Sequence, residues 1–284
     1  MPTFDTPGPI MTTVRVEAGS LQFTATDRTD TVVVVRPRTA GKDVDARAAE
    51  QTEVTFTNGV LTIRTPKPHL LGLGIGRVGS VDVTVELPTG SDVEMTGSWT
   101  HVFAEGRLGE VRVKTSSGDV RLDETGPLDL TSAHGSIAVD RVAGRAELTT
   151  SSGSVRIGSV DGPATVKNSH GTTTVGTVTG ELRVRNAVGD IDVTRAEGSV
   201  TAVTAHGTLR IAEVARGTVQ VETSHGAIEI GVRASTATWL DADAGAGRVH
   251  NALAASAPPA GAEETVKIRA RTKYGNIAVR RAKA

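Results

Sequence analysis

The 284 residues carry 31 Lys and Arg against 32 Asp and Glu, a formal net charge of -1, so no global field draws in a polyanion or an anionic surface, and neither nucleic acid nor a membrane is an expected partner. The absence of cysteine excludes disulfides and thiolate chemistry and leaves His and carboxylates to hold any metal. Aromatic residues make up 2% of the chain while 32 glycines are dispersed among Val and Thr, the composition of many short strands joined by many turns.

From Met1 to Met11 no basic segment precedes an apolar stretch, and no later apolar run approaches ~20 residues; the expected location is cytoplasmic. Strands are predicted at 13–16, 21–25, 31–35, 54–57, 60–63 and 81–87, with Asn58-Gly59 as a tight hairpin turn. Residues 1–92 therefore read as a mainly antiparallel N-terminal β cap, which a repeat array needs because an open sheet edge pairs with other chains. Within the cap, the stretch from Gly72 to Gly79 contains GxGxxG at Gly74, Gly76 and Gly79. A dinucleotide site requires a following helix to meet the pyrophosphate. Here a strand starting at Val81 follows, so the stretch reads as a loop.

Beyond residue 92 the chain repeats. One glycine series runs Gly118, Gly135, Gly153, Gly171, Gly189, Gly207 and Gly226, with steps of 17, 18, 18, 18, 18 and 19. A second series, Gly109, Gly126, Gly144, Gly162, Gly180, Gly198 and Gly217, precedes the first by nine residues each time. The second and fourth residues after each glycine are mostly aliphatic: Val155 and Ile157, Ile191 and Val193, Leu209 and Ile211 in the first series, Leu128 and Leu130, Leu182 and Val184, Val219 and Val221 in the second. Each nonapeptide is thus a short strand with alternate residues turned inward. An antiparallel sandwich has no reason to hold one phase through seven units. The prediction is an all-β parallel β-solenoid with two short strands per ~18-residue coil, spanning residues 93–231 with coils ~4.8 Å apart. Residues 232–284 read as irregular C-terminal coils and a cap, with candidate corners at Gly247 and Gly275, a loop from Ala254 to Ala262, and a last stacked pair from Val266 to Val279.

Stacking turns sequence positions into columns. The residue before each first-series glycine is Ser117, His134, Ser152, His170, Val188, His206 or His225, so His134, His170, His206 and His225 form a candidate surface ridge. His206 and His225 fall in neighbouring coils and could titrate together or hold a metal. Only two ligands converge there, so the simpler reading is a corner that suits small polar or imidazole side chains, and no metal site is assigned. A second column, Thr115, Ser132, Thr150, Asn168, Asn186, Thr204 and Thr223, faces inward or into the corner and is expected to form a structural hydrogen-bond ladder. The outward residues Arg121, Ala138, Arg156, Thr174, Asp192, Arg210 and Glu229 mix signs and sizes. The corners lack the regular carboxylates of a calcium β-roll, and Trp99, Trp239 and Tyr274 are scattered too widely to argue a sugar-processing cleft.

These repeats, with residues 27–37, the segment Ser80-Val-Asp-Val-Thr-Val-Glu-Leu-Pro88 and the segment Arg271-Thr-Lys-Tyr-Gly-Asn-Ile277, resemble an actinobacterial family of β-strand-repeat proteins of unknown function and adhesin type. The resemblance implies the same fold over nearly the whole chain and supplies no catalytic residues and no cofactor. No nucleophile, base and orienting group are recognisable together. The expected function is that of a non-enzymatic scaffold presenting a rigid surface to a protein or glycan partner, with self-association through solenoid edges as a further expectation. The alternative is a small-molecule- or metal-binding protein, or a hydrolase, with its site at the cap/solenoid junction or on the His column.

Overall fold

The structure, a computed structural model, describes residues 2–66, 79–234, 236–253 and 264–282. Among the described residues it is all-β apart from one helix, and its strands stack in parallel as solenoid coils. The chain forms two compact units, residues 1–139 and 140–284. Among the described residues no helix is long and apolar enough to cross a membrane.

In the first unit the strand Met11–Thr26 is a whole coil. It runs parallel to Asp92–Arg107 along both of its halves, with Met11 opposite Asp92 and Ala25 opposite Gly106. On its other side it pairs in parallel with Val60–Arg64 and then with Val81–Pro88. The antiparallel pairs expected near the N-terminus surround this coil: Glu53–Thr57 with Val60–Arg64, Asp30–Pro37 with Val81–Pro88, and Thr3–Asp5 with Asp30–Pro37. The hairpin turn falls at Asn58 and Gly59, whose φ values of 51° and 77° are those of a type I′ turn that matches strand twist. Arg28 joins two of the segments that carry the family resemblance, pairing with Asp30 at 2.9 Å and with Glu86.

The helix Asp43–Glu50 escaped the sequence reading. Asp45 on it is fully buried and accepts a bond from the Ser80 amide at 3.0 Å, with the Lys42 ammonium at 3.2 Å. Burial opposes its charge, but these donors hold the carboxyl below its ordinary value.

The second unit shows the repeat most regularly. Ala164 faces Leu182, Leu182 faces Val200, and each inward column continues in register through Val219. The inward Val, Ile and Leu side chains are buried, as alternation in a two-sided coil requires. The polar ladder is buried too, and part of it bonds from coil to coil, continued by Thr272. Asn168, Asn186, Thr204, Thr223 and Thr272 donate to the carbonyls of Gly153, Gly171, Gly189, Gly207 and Gly226 at 3.0–3.3 Å. Each bond ties one coil's side chain to the preceding coil's corner and satisfies a polar group where the backbone turns, although Thr150 Oγ1 and Asn168 Oδ1 in the same column make no hydrogen bond among the described residues.

Chain order and stacking order part at the C-terminal end. The strand Thr265–Tyr274 lies between Gly217–His225 and Ala237–Ala246, and Ile277–Arg281 lies between Ile228–Val232 and Val249–Asn251. The last coil is therefore inserted beneath the one that precedes it in sequence. Side-chain polarity favours this order. In register, the inserted coil turns Val266, Ile268, Ile277 and Val279 inward, all buried, opposite Thr238, Leu240, Val249 and Asn251 of the outer coil, which stay partly or largely exposed. The more apolar coil takes the position covered on both sides. The predicted loop from Ala254 to Ala262 lies outside the described residues.

An ion-pair cluster fastens the crossover. Arg233 bonds Glu213 at 2.7 Å and Glu197 at 3.0 Å, Arg195 bonds Glu197 at 2.6 Å, and Arg281 donates to the carbonyls of Arg233 and Thr236 at 2.9 and 2.8 Å. Partial burial works against the charge on Glu197, yet Arg233 and Arg195 outweigh it and hold the carboxyl below its ordinary 4.5. A depressed folded-state value stabilises the fold above pH 4.5, and that contribution is lost as the pH falls through the folded value. Urea melts should therefore show Glu197→Gln less stable than wild type at neutral pH, with the gap closing below about pH 4.5. A gap of constant size from neutral pH into acid would contradict this role.

Candidate interaction surface

The corner glycines fix where the ridge stands. A residue immediately before such a glycine ends the first strand of its coil, and stacking sets it ~4.8 Å from its equivalent in the next coil. His206 faces His225, and His225 faces Tyr274, in parallel register. Their rings form a continuous exposed stack: His206 on His225 at 4.7 Å and 14°, His225 on Tyr274 at 4.8 Å and 13°. Val188 continues the row beside His206, followed by His170. Val188 and Tyr274 are 43% and 58% exposed.

Of the four predicted ridge histidines, only His206 and His225 meet ring to ring. His170 stands between Ser152 and Val188. In the first unit His134 faces Ser117, which faces Trp99, itself 62% exposed in the same column. Face-to-face imidazoles keep their nitrogens in parallel planes, so the in-plane lone pairs of His206 and His225 do not aim at one point between them. The geometry is that of ring stacking within the ridge and not of two ligands on one ion. Among the described residues no three His, Asp or Glu side chains gather as a metal site would need. Gly74 and Gly76 of the glycine-rich stretch lie outside the described residues, and Gly79 packs against the helix, where a Cβ would sit 2.3 Å from the Val44 carbonyl oxygen.

Tyr274 is the residue that the sequence reading missed on this ridge, although the pair Tyr274-Gly275 repeats the His-Gly pattern of the earlier corners. A second overlooked feature adjoins it. The outward residues of Thr265–Tyr274 are Lys267, Arg269, Arg271 and Lys273, alternating with the buried Val266, Ile268, Ala270 and Thr272. Beside them on the outer coil stand Trp239, with the Lys267 ammonium 4.8 Å from its ring centre, and Asp241, 2.6 Å from Arg271 and 3.3 Å from Arg269. The Arg271 guanidinium holds the Asp241 carboxyl below the ordinary carboxylate range.

The family model described as Toastrack DUF4097 matches residues 15–280. Among solved structures, the chain is similar to a "putative adhesin" from Bacteroides fragilis, with 12% identity, coverage of 98% of this chain and 96% of that one, and a TM-score of 0.33. It is also similar to a "putative lipid binding protein" from Parabacteroides distasonis, with 12% identity, 99% and 96% coverage and a TM-score of 0.31. A "putative cell adhesion protein" from Clostridium sporogenes gives 9% identity, 99% and 98% coverage and a TM-score of 0.23. No curated protein matches the chain.

Proposed function

We propose that this chain, which belongs to the Toastrack DUF4097 family, works as a non-enzymatic interaction protein of adhesin type, presenting the ridge of its coils to a protein or glycan partner. The observation that carries this reading is the exposed stack of His206, His225 and Tyr274. The inward faces of the coils are buried against one another, whereas this row leaves ring edges and an apolar flank at Val188 in water. Rings already fixed by stacking lose little freedom when a partner docks, so their contact area converts efficiently into affinity.

Arrays of immobilised glycans and proteins test the proposal, with binding and product release measured on the same samples. The expected result is retention on at least one surface class without chemical change to it. Replacing His206, His225 and Tyr274 together by Ala should weaken retention at least tenfold, about 1.4 kcal/mol, while the fold persists, since all three are exposed. Turnover of any arrayed compound, or retention indifferent to the triple substitution, would overturn the reading.

A further inference from the structure

We propose that the outward face of Thr265–Tyr274 is a binding track for a linear, uncharged polysaccharide; this rests on the interaction reading above and names the partner's chemistry. Two open depressions lie on this face. One, of about 850 Å³, is bordered by Trp239, Lys267, Arg216 and Glu264, and the other, of about 550 Å³, by Arg271, Lys273, Glu222 and Tyr274. Lys267, beside Trp239, and Tyr274 are seven positions apart on one strand, or ~23 Å at the rise of a parallel strand. That is room for several sugar units.

The ends of the track carry flat rings held in place before any ligand arrives. Trp239 is 52% exposed, with the Lys267 ammonium over its ring. Tyr274 rests on His225. The face of Trp239 turned away from Lys267 suits packing against the C–H face of a sugar ring, while Tyr274, stacked on His225, offers its ring edge and hydroxyl.

The floor between them is made of ion pairs: Asp241 with Arg269 and Arg271, and at one end Arg216 with Glu264 at 3.5 Å. A guanidinium has five donors and a carboxylate about four acceptor positions, so each pair keeps spare capacity of both kinds. Hydroxyl groups, which donate and accept, match such a floor.

Charge weighs against a nucleic acid or an anionic membrane on this face, and backbone pairing weighs against a peptide on the central strand. Along the track five cations, Arg216, Lys267, Arg269, Arg271 and Lys273, face four carboxylates, Glu222, Asp241, Asp243 and Glu264. A nearly balanced field gives no steering toward an anionic membrane or a nucleic acid. The backbone of Thr265–Tyr274 is paired on both sides, with Gly217–His225 and Ala237–Ala246, so a peptide cannot join this strand by β-augmentation.

The two tryptophans of the chain allow a direct test. Trp99→Phe leaves Trp239 as the only indole, a fluorescent reporter seated in the track. The full chain carrying this change would be titrated with a soluble β-linked glucan, a galactomannan and a polyuronate, and with phosphatidylglycerol vesicles and an acidic peptide as the other arms. The expected result is a saturable change in Trp239 emission with the glucan or the galactomannan that survives about 1 M salt, where charge attraction is screened to ~3 Å. Affinity electrophoresis of the otherwise wild-type chain should show retardation in the same polysaccharide, reduced at least tenfold by Trp239→Ala and by Tyr274→Ala, with melting temperatures confirming that both variants fold. No emission change with either neutral polysaccharide, retardation unaffected by Trp239→Ala, or binding confined to the polyuronate, the vesicles or the peptide would overturn the inference. If array binding still depends on His206 and His225 while the track binds no polysaccharide, the inference fails and the interaction reading stands. If neither surface contributes to any binding, both fail.

Discussion

Ile191→Asp should abolish cooperative folding of the second unit or lower its stability by at least about 4 kcal/mol, whereas Asp192→Ala should change it by less than about 0.5 kcal/mol. The two positions are adjacent in sequence and opposite in environment. Ile191 is 1% exposed and stacks in register between Thr173 and Leu209 on the inward face. An aspartate there has no cation to pair with and must be buried charged or protonated, either of which is costly. Asp192 points outward between Thr174 and Arg210, so its loss trims a solvated side chain. Urea-induced unfolding of the two variants reads the difference directly. Similar midpoints would mean that the inward and outward faces have been exchanged, because a slip of one residue flips every side chain in a strand.

Gly189→Ala should cost about 3 kcal/mol, a large effect for one added methyl group. Gly189 sits at a corner with φ of +131°, where an L side chain is strained. A Cβ would also lie 2.1 Å from the carbonyl oxygen of Gly171 in the adjacent coil. That oxygen accepts from Asn186, so moving it disturbs the ladder as well as the turn. Gly8→Ala is the matched control, since nothing lies within 4 Å of a Cβ there, and it should fall within about 0.5 kcal/mol of wild type. Equal melting behaviour of the two variants would show that the corner backbone has room to relax, and the close coil contact would have to be abandoned.

Corners and inward positions were legible because one short period controls both. Stacking places identical demands on every coil, so Gly118 through Gly226 and the Thr/Asn column recur at nearly fixed spacing. The order of the last coils was not legible. Periodicity reports which residues form a coil and is silent on which coil it lies against, and only the contrast between Val266 and Val279 on one side and their register partners Thr238 and Asn251 on the other marks the insertion. The helix Asp43–Glu50 was hidden for a related reason: it is eight residues long, with only Asp45 and Ala48 buried, too few to print a helical period. On the surface, the His column was visible, but its stacking with Tyr274 depends on a residue 49 positions beyond His225 being carried back by the inserted coil. The alternation of Lys267, Arg269, Arg271 and Lys273 was present in the sequence as well. Its meaning needed Trp239 and Asp241, which only the fold places alongside.

The most direct test of the stacked ridge uses the absence of cysteine from the chain. A His206→Cys, His225→Cys double variant puts two thiols at in-register positions of neighbouring coils, ~4.8 Å apart at the backbone and within the span of a disulfide. A His170→Cys, His206→Cys variant separates them by two coils, ~10 Å, beyond that span. Under mild oxidation, followed by thiol counting on monomeric protein, an intramolecular disulfide is expected in the first variant and free thiols in the second. Free thiols in the first, or equal cross-linking in both, would contradict the coil register on which the ridge, the track and the proposed function all stand.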